Sequence, residues 1–292
     1  MSFELRPAAA SDRPSISTFT EGTFEWGDYV ADRFESWLEA ASSHVIVATA
    51  DDVVVGLARG VLLSPSELWL HAARVHPDWR GKGVGGRLNE GLIEWGREQG
   101  AGVVRLLIED WNDVAQKQVA KGHYRPVSQW AFGKREISPN DPNPMRNGGK
   151  RVPGPERLQG ASRSEAEPAF LAWSTSELLR AARGLFGFRW SWRRLTIDDL
   201  TVGARSRTFF ECPSGWVLMS RTAEGMMEVA WAMATPDDVT RLTRAVLDYA
   251  LSERAVELHF HMPATVEVLA ALDRIGCTTK LMTVWERAID VD

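Results

Sequence analysis

Alternating apolar and polar residues in the first part of the chain predict a sheet that begins with antiparallel strands. FELRP is typical of a short strand, SHVIVATADDVVVGLARGVLL of two strands around a tight turn at Asp51 and Asp52, and ELWLHAARV of another strand. Strands that follow one another through such short connections pair as an antiparallel meander. The pattern therefore predicts a meander of three strands after the first short strand.

Apolar residues at helical spacing predict helices around this meander. One helix is capped near Asp12, and YVADRFESWLEA forms an amphipathic segment. Leu88, Leu92 and Trp95 then recur at helical spacing up to Gly100, which stands where a helix C-terminal glycine belongs. VVRLLIED is predicted as a strand, NDVAQKQVAKG as a helix and YRPVSQWAFGKRE as one or two final strands. The fold class is therefore α/β.

A stretch rich in proline and glycine divides the chain near its middle. Residues 138–155 contain five prolines and three glycines and very few apolar side chains. We therefore expect two domains, at residues 1–138 and 156–292, joined by a linker at residues 139–155.

The second half of the chain repeats the first. RLNEGLIEWGREQGA aligns with RLTRAVLDYALSERA, which pairs Arg87 with Arg241, and the same register pairs Gly122 with Gly276. Upstream, the alignment of VHPD with ATPD requires the deletion of five residues, all from a glycine-rich loop of the first half. The second half is thus predicted to be a degenerate copy that lacks this loop.

Composition and charge exclude several classes of function. The formal net charge is −5, and residues 1–138 carry 15 basic and 19 acidic side chains against 16 and 19 in residues 156–292. Neither half has the basic excess of a nucleic-acid-binding domain. Two cysteines exclude a disulfide framework and a four-thiolate zinc site. The sequence has neither the apolar core of a signal peptide nor an apolar run long enough to span a membrane, so we expect a cytoplasmic protein. We expect neither nucleic acid nor a membrane as a partner. The sequence does not indicate an oligomeric state.

Two stretches of the second half suggest other chemistry. His259 and His261 lie on one face of the strand ELHFHMP and are a possible pair of metal ligands, but no third ligand has a suitable spacing, so no metal is expected. GLFGFRWSWRRL interleaves aromatic residues with arginines. In an acidic half it is interpreted as an element whose rings pack against the first domain or line a substrate cleft.

The stretch HPDWRGKGVGGRL contains the most specific pattern in the chain. Its four glycines, between positions 81 and 86, permit backbone conformations closed to other residues and let a ligand approach the main chain. The helix that begins near Gly86 presents unpaired N–H groups and the positive end of its dipole. With Arg80, Lys82 and Arg87 around it, the loop is predicted to bind a phosphate group.

Two kinds of fold use such a loop. Gly81, Gly83 and Gly86 satisfy the G-x-G-x-x-G pattern of dinucleotide-binding folds, and Glu109 ends the next strand, where those folds keep a ribose-binding acid. However, residues 76–80 separate the loop from its strand, the preceding strands form an antiparallel meander, and only one βαβ crossover with a long helix is predicted before the linker. A dinucleotide-binding protein is therefore the less favoured alternative.

Together with residues further along, the loop resembles the acetyl-CoA-binding signature of the GNAT N-acetyltransferase superfamily. The resemblance spans residues 3–136 and rests on Val75-x-Pro77, Arg80-Gly81-Lys82-Gly83-Val84-Gly85, Asn112-x-x-Ala115 and a glycine-aromatic ending at Gly122 to Tyr124. With its degenerate copy the chain resembles tandem-GNAT proteins. The resemblance implies two tandem GNAT-like acyltransferase domains, each a mixed, mostly antiparallel sheet flanked by helices.

The resemblance also implies acetyl-CoA as the co-substrate, with one site per chain and no metal. The backbone of Arg74 and Val75 would pair with the pantetheine arm, and Asn112 would help to hold that arm or order the helix after the fifth strand. The residues that would contact the pyrophosphate are Arg80, Gly81, Lys82, Gly83, Val84, Gly85, Gly86 and Arg87.

The mechanism that the resemblance implies is direct attack of an amine on the thioester, assisted by a general base and a general acid. Glu67 and His71, on one face of their strand, are base candidates, as are Glu109 and Asp110 at the end of the neighbouring strand. A base that acts through a water molecule is a further possibility.

The acid departs from the family pattern. The family often places a tyrosine seven residues after the asparagine, and that position is Val119 here. Tyr124 is the nearby candidate for the general acid, although solvent can also protonate a leaving thiolate whose thiol has a pKa near 8.5.

From the resemblance as a whole we expect an N-acetyltransferase with a small-molecule or peptide amine acceptor. The alternative is a non-catalytic acyl-CoA-binding sensor or regulatory protein. The acceptor, the acyl-chain preference and any contribution of the second domain to the acceptor site are left open by the sequence.

Overall fold

The computed structural model describes residues 2–21, 23, 27–138, 141 and 156–290. The elements of the first half are β1 (Glu4–Pro7), α1 (Arg13–Thr20), α2 (Val30–Glu39), β2 (Ser43–Ala50), β3 (Val53–Ser64), β4 (Glu67–Val75), α3 (Val84–Glu98), β5 (Val103–Glu109), α4 (Asp113–Lys121) and β6 (Arg125–Glu136). The elements of the second half are β7 (Gln159–Gly160), α5 (Ala166–Thr175), α6 (Glu177–Ala182), β8 (Leu185–Phe188), β9 (Ser191–Arg194), α7 (Ile197–Arg205), β10 (Phe209–Cys212), β11 (Gly215–Arg221), β12 (Met226–Met233), α8 (Val239–Ser252), β13 (Glu257–Pro263), α9 (Val266–Arg274) and β14 (Thr278–Ala288). Apart from Asp141, the predicted linker lies outside the described residues.

Two compact units divide the chain, and each takes segments from both halves of the sequence. The first consists of Met1–Leu107, Asn112–Arg125 and Trp285–Asp292, and the second of Ile108–Trp111 and Pro126–Val284. The second unit thus includes nearly all of β6, and the first includes the end of β14. The domain boundaries at residues 1–138 and 156–292 rest on the repeat and the linker and stay a prediction.

The sheet of the first unit is mostly antiparallel. β1, β2, β3 and β4 pair antiparallel in chain order, and the turn at Asp51 and Asp52 has left-handed φ values of 49° and 63°. β5 pairs parallel to β4 from Glu67 opposite Val103 to Trp69 opposite Arg105, where the register ends. The α/β class and the antiparallel meander are therefore confirmed, and β4 and β5 diverge beyond Trp69.

A bulge in β4 lies where this divergence begins. Arg59 is opposite His71 but Leu57 is opposite Arg74, so β4 has one more residue than β3 in this interval. Ala72 inside it has a φ of 59°, a left-handed conformation that alanine rarely adopts. Because a bulge bends and twists the strand that carries it, this one redirects the end of β4.

Helices cover both faces of this sheet. α3 packs on the face that includes Ile46 and Leu68, whose methyl groups contact glycine positions of the helix. α1 and α2 pack on the opposite face, in a hydrophobic core with Val45 and Val47. Neighbouring residues of β2 therefore point to different helices, as the alternation along a strand requires.

Substitution of two glycines of α3 by alanine should change the free energy of unfolding in opposite directions. A Cβ at Gly96 would lie 2.6 Å from Leu68 Cδ2, whereas at Gly86 it would meet no atom of the described chain within 4 Å. We expect Gly96→Ala to lower the free energy of unfolding by about 1–3 kcal/mol through overpacking. Gly86→Ala should raise it by up to about 1 kcal/mol, because alanine favours a helix. Urea unfolding followed by circular dichroism measures both changes, and a more stable Gly96→Ala would contradict the close packing of α3 on β4.

The second unit repeats the arrangement of the first. Its strands follow the order β6, β13, β12, β11, β10 and β7. β12 and β13 pair parallel from Met226 opposite Glu257 to Val229 opposite Phe260 and then diverge, as β4 and β5 do. α8, β13 and α9 follow β12 in the order in which α3, β5 and α4 follow β4. The repeat detected in the sequence is therefore also present in the structure.

Candidate active site

The glycine loop leads from β4 into α3 and keeps its backbone accessible. Gly81 and Gly83 have left-handed φ values of 74° and 83°, and Gly83 is the N-cap of α3. The helix begins at Val84, two residues before the predicted start near Gly86, because the left-handed residue at position 83 ends the loop. A Cβ at Gly81, Gly83 or Gly86 would meet no described atom within 4 Å, so the space beside these residues is open to a ligand.

Positive charge is concentrated around the start of α3. Arg80 and Arg87 are exposed, and neither belongs to an ion pair within the described part of the chain. The Lys82 ammonium lies 5.0 Å from the ring centroid of Trp79, and the first turn of α3 has no acidic residue. Cations are unfavourable at the positive end of a helix dipole. This arrangement therefore favours a bound anion that neutralises it.

α4 contacts the loop from the side. A Cβ at Gly85 would lie 2.8 Å from Nε2 of Gln118, so only glycine fits there without displacing that amide. Asn112 is the N-cap of α4, and its Oδ1 accepts a hydrogen bond of 3.1 Å from the Ala115 N–H. Asn112 thus orders this helix, one of its two expected roles, and contact of Asn112 with pantetheine stays a prediction. Gln118 had no signal in the sequence, because only the packing of α4 brings it to Gly85.

The end of β4 is held by side-chain contacts. The Nε of Arg74 donates a 2.7 Å hydrogen bond to Asp28, whose side chain is 1% exposed. The Val75 carbonyl accepts a 3.3 Å hydrogen bond from Arg80 Nε, which ties the loop to the strand. The contact of the backbone of Arg74 and Val75 with a ligand stays a prediction, and the divergence of β5 from β4 supports it.

The two base candidates on β4 are both engaged with arginines. The buried Glu67 carboxylate accepts hydrogen bonds from Arg105 and, at 2.9 Å, from the Ser64 hydroxyl. His71 Nε2 lies 3.1 Å from an Nη1 of Arg59. Burial, together with the positive charge of Arg59 and Arg74, lowers the pKa of His71 to about 3. His71 is therefore neutral near pH 7, and its Nε2 accepts the hydrogen bond from Arg59.

The acid candidate Tyr124 follows α4. Its buried hydroxyl has no hydrogen-bond partner in the described part of the chain, and its N–H donates to the Val119 carbonyl at 3.1 Å. Burial raises the pKa of the Tyr124 hydroxyl well above its usual range, so this group retains its proton. Val119 itself is buried in α4.

The two remaining base candidates belong to the second compact unit. Glu109 accepts a hydrogen bond from the Trp111 indole N–H, in a solvent-exposed position. Asp110 accepts hydrogen bonds from Gln129 at 2.5 Å and from the Thr283 hydroxyl at 2.8 Å. The structure therefore assigns Glu67 and His71 to one compact unit and Glu109 and Asp110 to the other.

The second unit has a different helix start at the position of the glycine loop. Its turn contains Thr235 to Asp238 without a glycine, and Asp238 is the N-cap of α8. The Asp238 carboxylate accepts a 2.7 Å hydrogen bond from the Thr235 hydroxyl and pairs with Arg241. The start of α8 thus has an acidic side chain of its own and no glycine loop, and both features make it a poorer anion site than the start of α3.

The aromatic stretch GLFGFRWSWRRL forms the hairpin of β8 and β9, which packs on β12 and β13 of its own unit. Rings of Trp190 and Trp192 lie 5.3 Å from His261, beyond the point where β12 and β13 stop pairing. The hairpin therefore covers the divergence of these strands, which the sequence did not indicate.

The histidines considered as metal ligands each face a carboxylate instead. His261 lies 3.3 Å from Glu228, and His259 lies 2.6 Å from Glu257. Across the described residues, no group of three or more histidine, cysteine, aspartate or glutamate side chains is arranged to hold a metal ion. No described helix combines the length and apolar character that a membrane span requires.

Comparisons with known proteins point to one family of acetyltransferases. A family model described as "Acetyltransferase (GNAT) family" matches residues 13–121. "Histidine N-acetyltransferase" from Xenopus tropicalis is 27% identical over 128 residues, which are 44% of this chain and 39% of that protein. The chain therefore spans less than half the length of the curated relative that it matches.

Solved structures resemble the whole chain. A GCN5-related N-acetyltransferase from Sphaerobacter thermophilus matches with a TM-score of 0.68 and 16% identity, over 98% of this chain and 96% of the other. A tandem GNAT protein from the clavulanic acid biosynthesis pathway matches with a TM-score of 0.57 and 16% identity, over 100% of both chains. At this identity the matches show that the chain shares their fold.

Proposed function

We propose that this chain, whose residues 13–121 match the GNAT acetyltransferase family model and which shares the fold of a tandem GNAT protein, transfers an acetyl group from acetyl-CoA to an amine. The observation that carries the proposal is the helix start at Gly83, where the exposed Arg80 and Arg87, which belong to no ion pair within the described residues, meet an open glycine backbone. This arrangement suits the pyrophosphate of coenzyme A, which backbone amides and cations bind together.

We place the cofactor along the path that these features define. The pyrophosphate would contact the amides of residues 80–86 and the side chains of Arg80, Lys82 and Arg87. The pantetheine arm carries amide groups and would hydrogen-bond the edge of β4 at Arg74 and Val75, beyond the parallel pairing with β5. The thioester would then lie near the bulge at Ala72, where the two strands separate.

Direct attack of the amine on the thioester is consistent with the properties of the two cysteines of this chain. The amine nitrogen would attack the thioester carbonyl, the C–N bond would form, the C–S bond would break, and the amine would lose a proton while the thiolate gains one. Burial raises the pKa of Cys212 and of Cys277 to about 11, so both stay as thiols near pH 7 and neither is an activated nucleophile. The proposal therefore includes no covalent enzyme intermediate.

The surroundings of the base and acid candidates favour proton transfer through water over direct transfer to a side chain. Glu67 is bound to Arg105, and His71 directs its lone pair to Arg59, so neither offers a free basic atom to the amine. Glu109 remains a base candidate and Tyr124 an acid candidate. The Tyr124 hydroxyl is buried, which favours protonation of the thiolate by solvent. A thiolate whose thiol has a pKa near 8.5 leaves readily without an acid from the protein.

The acceptor is proposed to be a small molecule. The curated relative is named for acetylation of histidine, a small amine, and this supports a small-molecule acceptor rather than a peptide. A non-catalytic acyl-CoA sensor is the second candidate, because Val119 replaces the expected tyrosine and Tyr124 is sealed from solvent.

The test combines binding with turnover. Calorimetry would measure the affinity for acetyl-CoA and for NAD, and a thiol-release assay would measure transfer to a panel of amines. We expect acetyl-CoA binding and thiol release that depends on the amine. Binding without turnover on any amine would support the sensor, and binding of NAD without acetyl-CoA would support the dinucleotide alternative instead.

A further inference from the structure

Arg59 on β3 is partly buried without a carboxylate partner. Its Nε donates a 2.7 Å hydrogen bond to the Ser43 hydroxyl, its Nη1 donates to His71, and its guanidinium carbon lies 4.9 Å from the Trp37 ring centroid. These contacts use two of the five N–H donors of a guanidinium. No carboxylate of the described chain lies within 4.0 Å of it.

Other shielded arginines of the same unit differ from Arg59. Arg74 pairs with Asp28, Arg105 with Glu67 and Glu286, and the side chains of these arginines are 15% and 2% exposed. Burial of a cation without a counterion costs free energy, and burial lowers the pKa of Arg59 to about 10. Arg59 nevertheless remains charged near pH 7. A partly buried cation without a counterion is typical of a site that binds a ligand of opposite charge.

Arg59 lies on the side of the sheet opposite to α3. Trp37 belongs to α2 and to the hydrophobic core of α1 and α2, and Arg59 contacts its ring. Arg59 is directly opposite His71 in the ladder of β3 and β4, and His71 precedes the bulge residue Ala72. A cofactor with its pyrophosphate at α3 and its thioester at the divergence of β4 and β5 would thus present the acetyl group beside this arginine.

We propose that Arg59 binds the carboxylate of the acceptor, which makes the acceptor a small amine that also carries a carboxylate, such as a free α-amino acid. The planar guanidinium matches a carboxylate with two parallel hydrogen bonds. The hydrogen bonds from Nε to Ser43 and from Nη1 to His71 hold the guanidinium in one orientation, so its remaining donors are preorganised. Trp37 supports its face, and the half-exposed Tyr29 contacts Trp37 edge to face at 6.0 Å. This inference rests on the proposed acetyltransferase function.

The test compares matched acceptors. Free amino acids, their carboxamides and the corresponding decarboxylated amines would be assayed with wild type, Arg59→Gln and Arg59→Lys. We expect Arg59→Gln to raise KM for the amino acids by roughly 10- to 100-fold, the effect of one lost charge-assisted contact, and to leave the carboxamides and the KM for acetyl-CoA unchanged. Arg59→Lys should show a smaller loss, because it keeps the charge but not the planar fork. Arg33→Gln, which removes an exposed arginine from α2, is the matched control and should behave like wild type.

Three other outcomes would overturn the role of Arg59, and each can be distinguished from the other two. A wild type that accepts carboxamides as well as amino acids would overturn the inference and leave the acetyltransferase function intact. Equal losses for both acceptor classes in Arg59→Gln, together with a changed circular dichroism spectrum or a changed KM for acetyl-CoA, would give Arg59 a structural role and also overturn it. Transfer to no amine despite acetyl-CoA binding would overturn the proposed function, and the inference with it.

Discussion

Gly86→Asp should weaken acetyl-CoA binding by about 100-fold or more and leave the protein without ligand at least as stable as wild type. Gly86 lies in the first turn of α3, and a Cβ there would meet no described atom within 4 Å. A carboxylate at this position favours the helix through its dipole. It would also repel the pyrophosphate, at about 4 kcal/mol for two unit charges 4 Å apart at an effective dielectric constant near 20. Binding and stability should therefore change in opposite directions.

Two further variants separate charge from shape. Gly86→Ala adds a methyl group without charge, and Asn89→Asp adds the same charge one turn further into α3. We expect both to bind acetyl-CoA much more tightly than Gly86→Asp in calorimetry. A Gly86→Asp protein that binds with wild-type affinity would contradict the placement of the pyrophosphate at this helix start.

Arg105→Met should lower the free energy of unfolding by about 3–5 kcal/mol. The Arg105 side chain is 2% exposed and joins two carboxylates, because it pairs with Glu67 on β4 and donates to Glu286 on β14 at 2.7 Å. Removal of the cation leaves both acids shielded from water without their main counterion. Glu286 belongs to the first compact unit, so the contact also ties the end of β14 to β4 and β5.

Urea unfolding measures this loss, and a double variant identifies its source. Arg105→Met combined with Glu67→Gln removes one uncompensated charge and should recover part of the stability. A loss below about 1 kcal/mol in Arg105→Met, a value typical of exposed ion pairs, would contradict the role assigned to this cluster.

Local patterns explain how much of the fold could be predicted. The turn at Asp51 and Asp52, the meander and the helix after the glycine loop depend on residues close together in sequence, and alternation, periodicity and glycine spacing report them directly. The repeat of the second half was visible for the same reason. The loop itself was found because glycines at fixed spacing before a helix have a local physical purpose.

The surroundings of the candidate catalytic side chains depend on residues far apart in sequence and could not be predicted. Glu67 had the pattern of an accessible base, but its partners Arg105 and, through that arginine, Glu286 arrive from later strands. His71 faces Arg59, which the register of β3 and β4 places opposite it. No local rule reports such pairings, because tertiary packing alone decides which charge meets which.

A calorimetric titration of the protein with acetyl-CoA, with Gly86→Asp measured in parallel, tests the proposed cofactor site most directly. We expect one molecule of acetyl-CoA per chain, because the first unit has the open glycine loop and the second has Asp238 at the corresponding helix start. Gly86→Asp should remove that single binding event. Absence of binding to the wild type, or two molecules bound per chain, would contradict a single acetyl-CoA site at the start of α3.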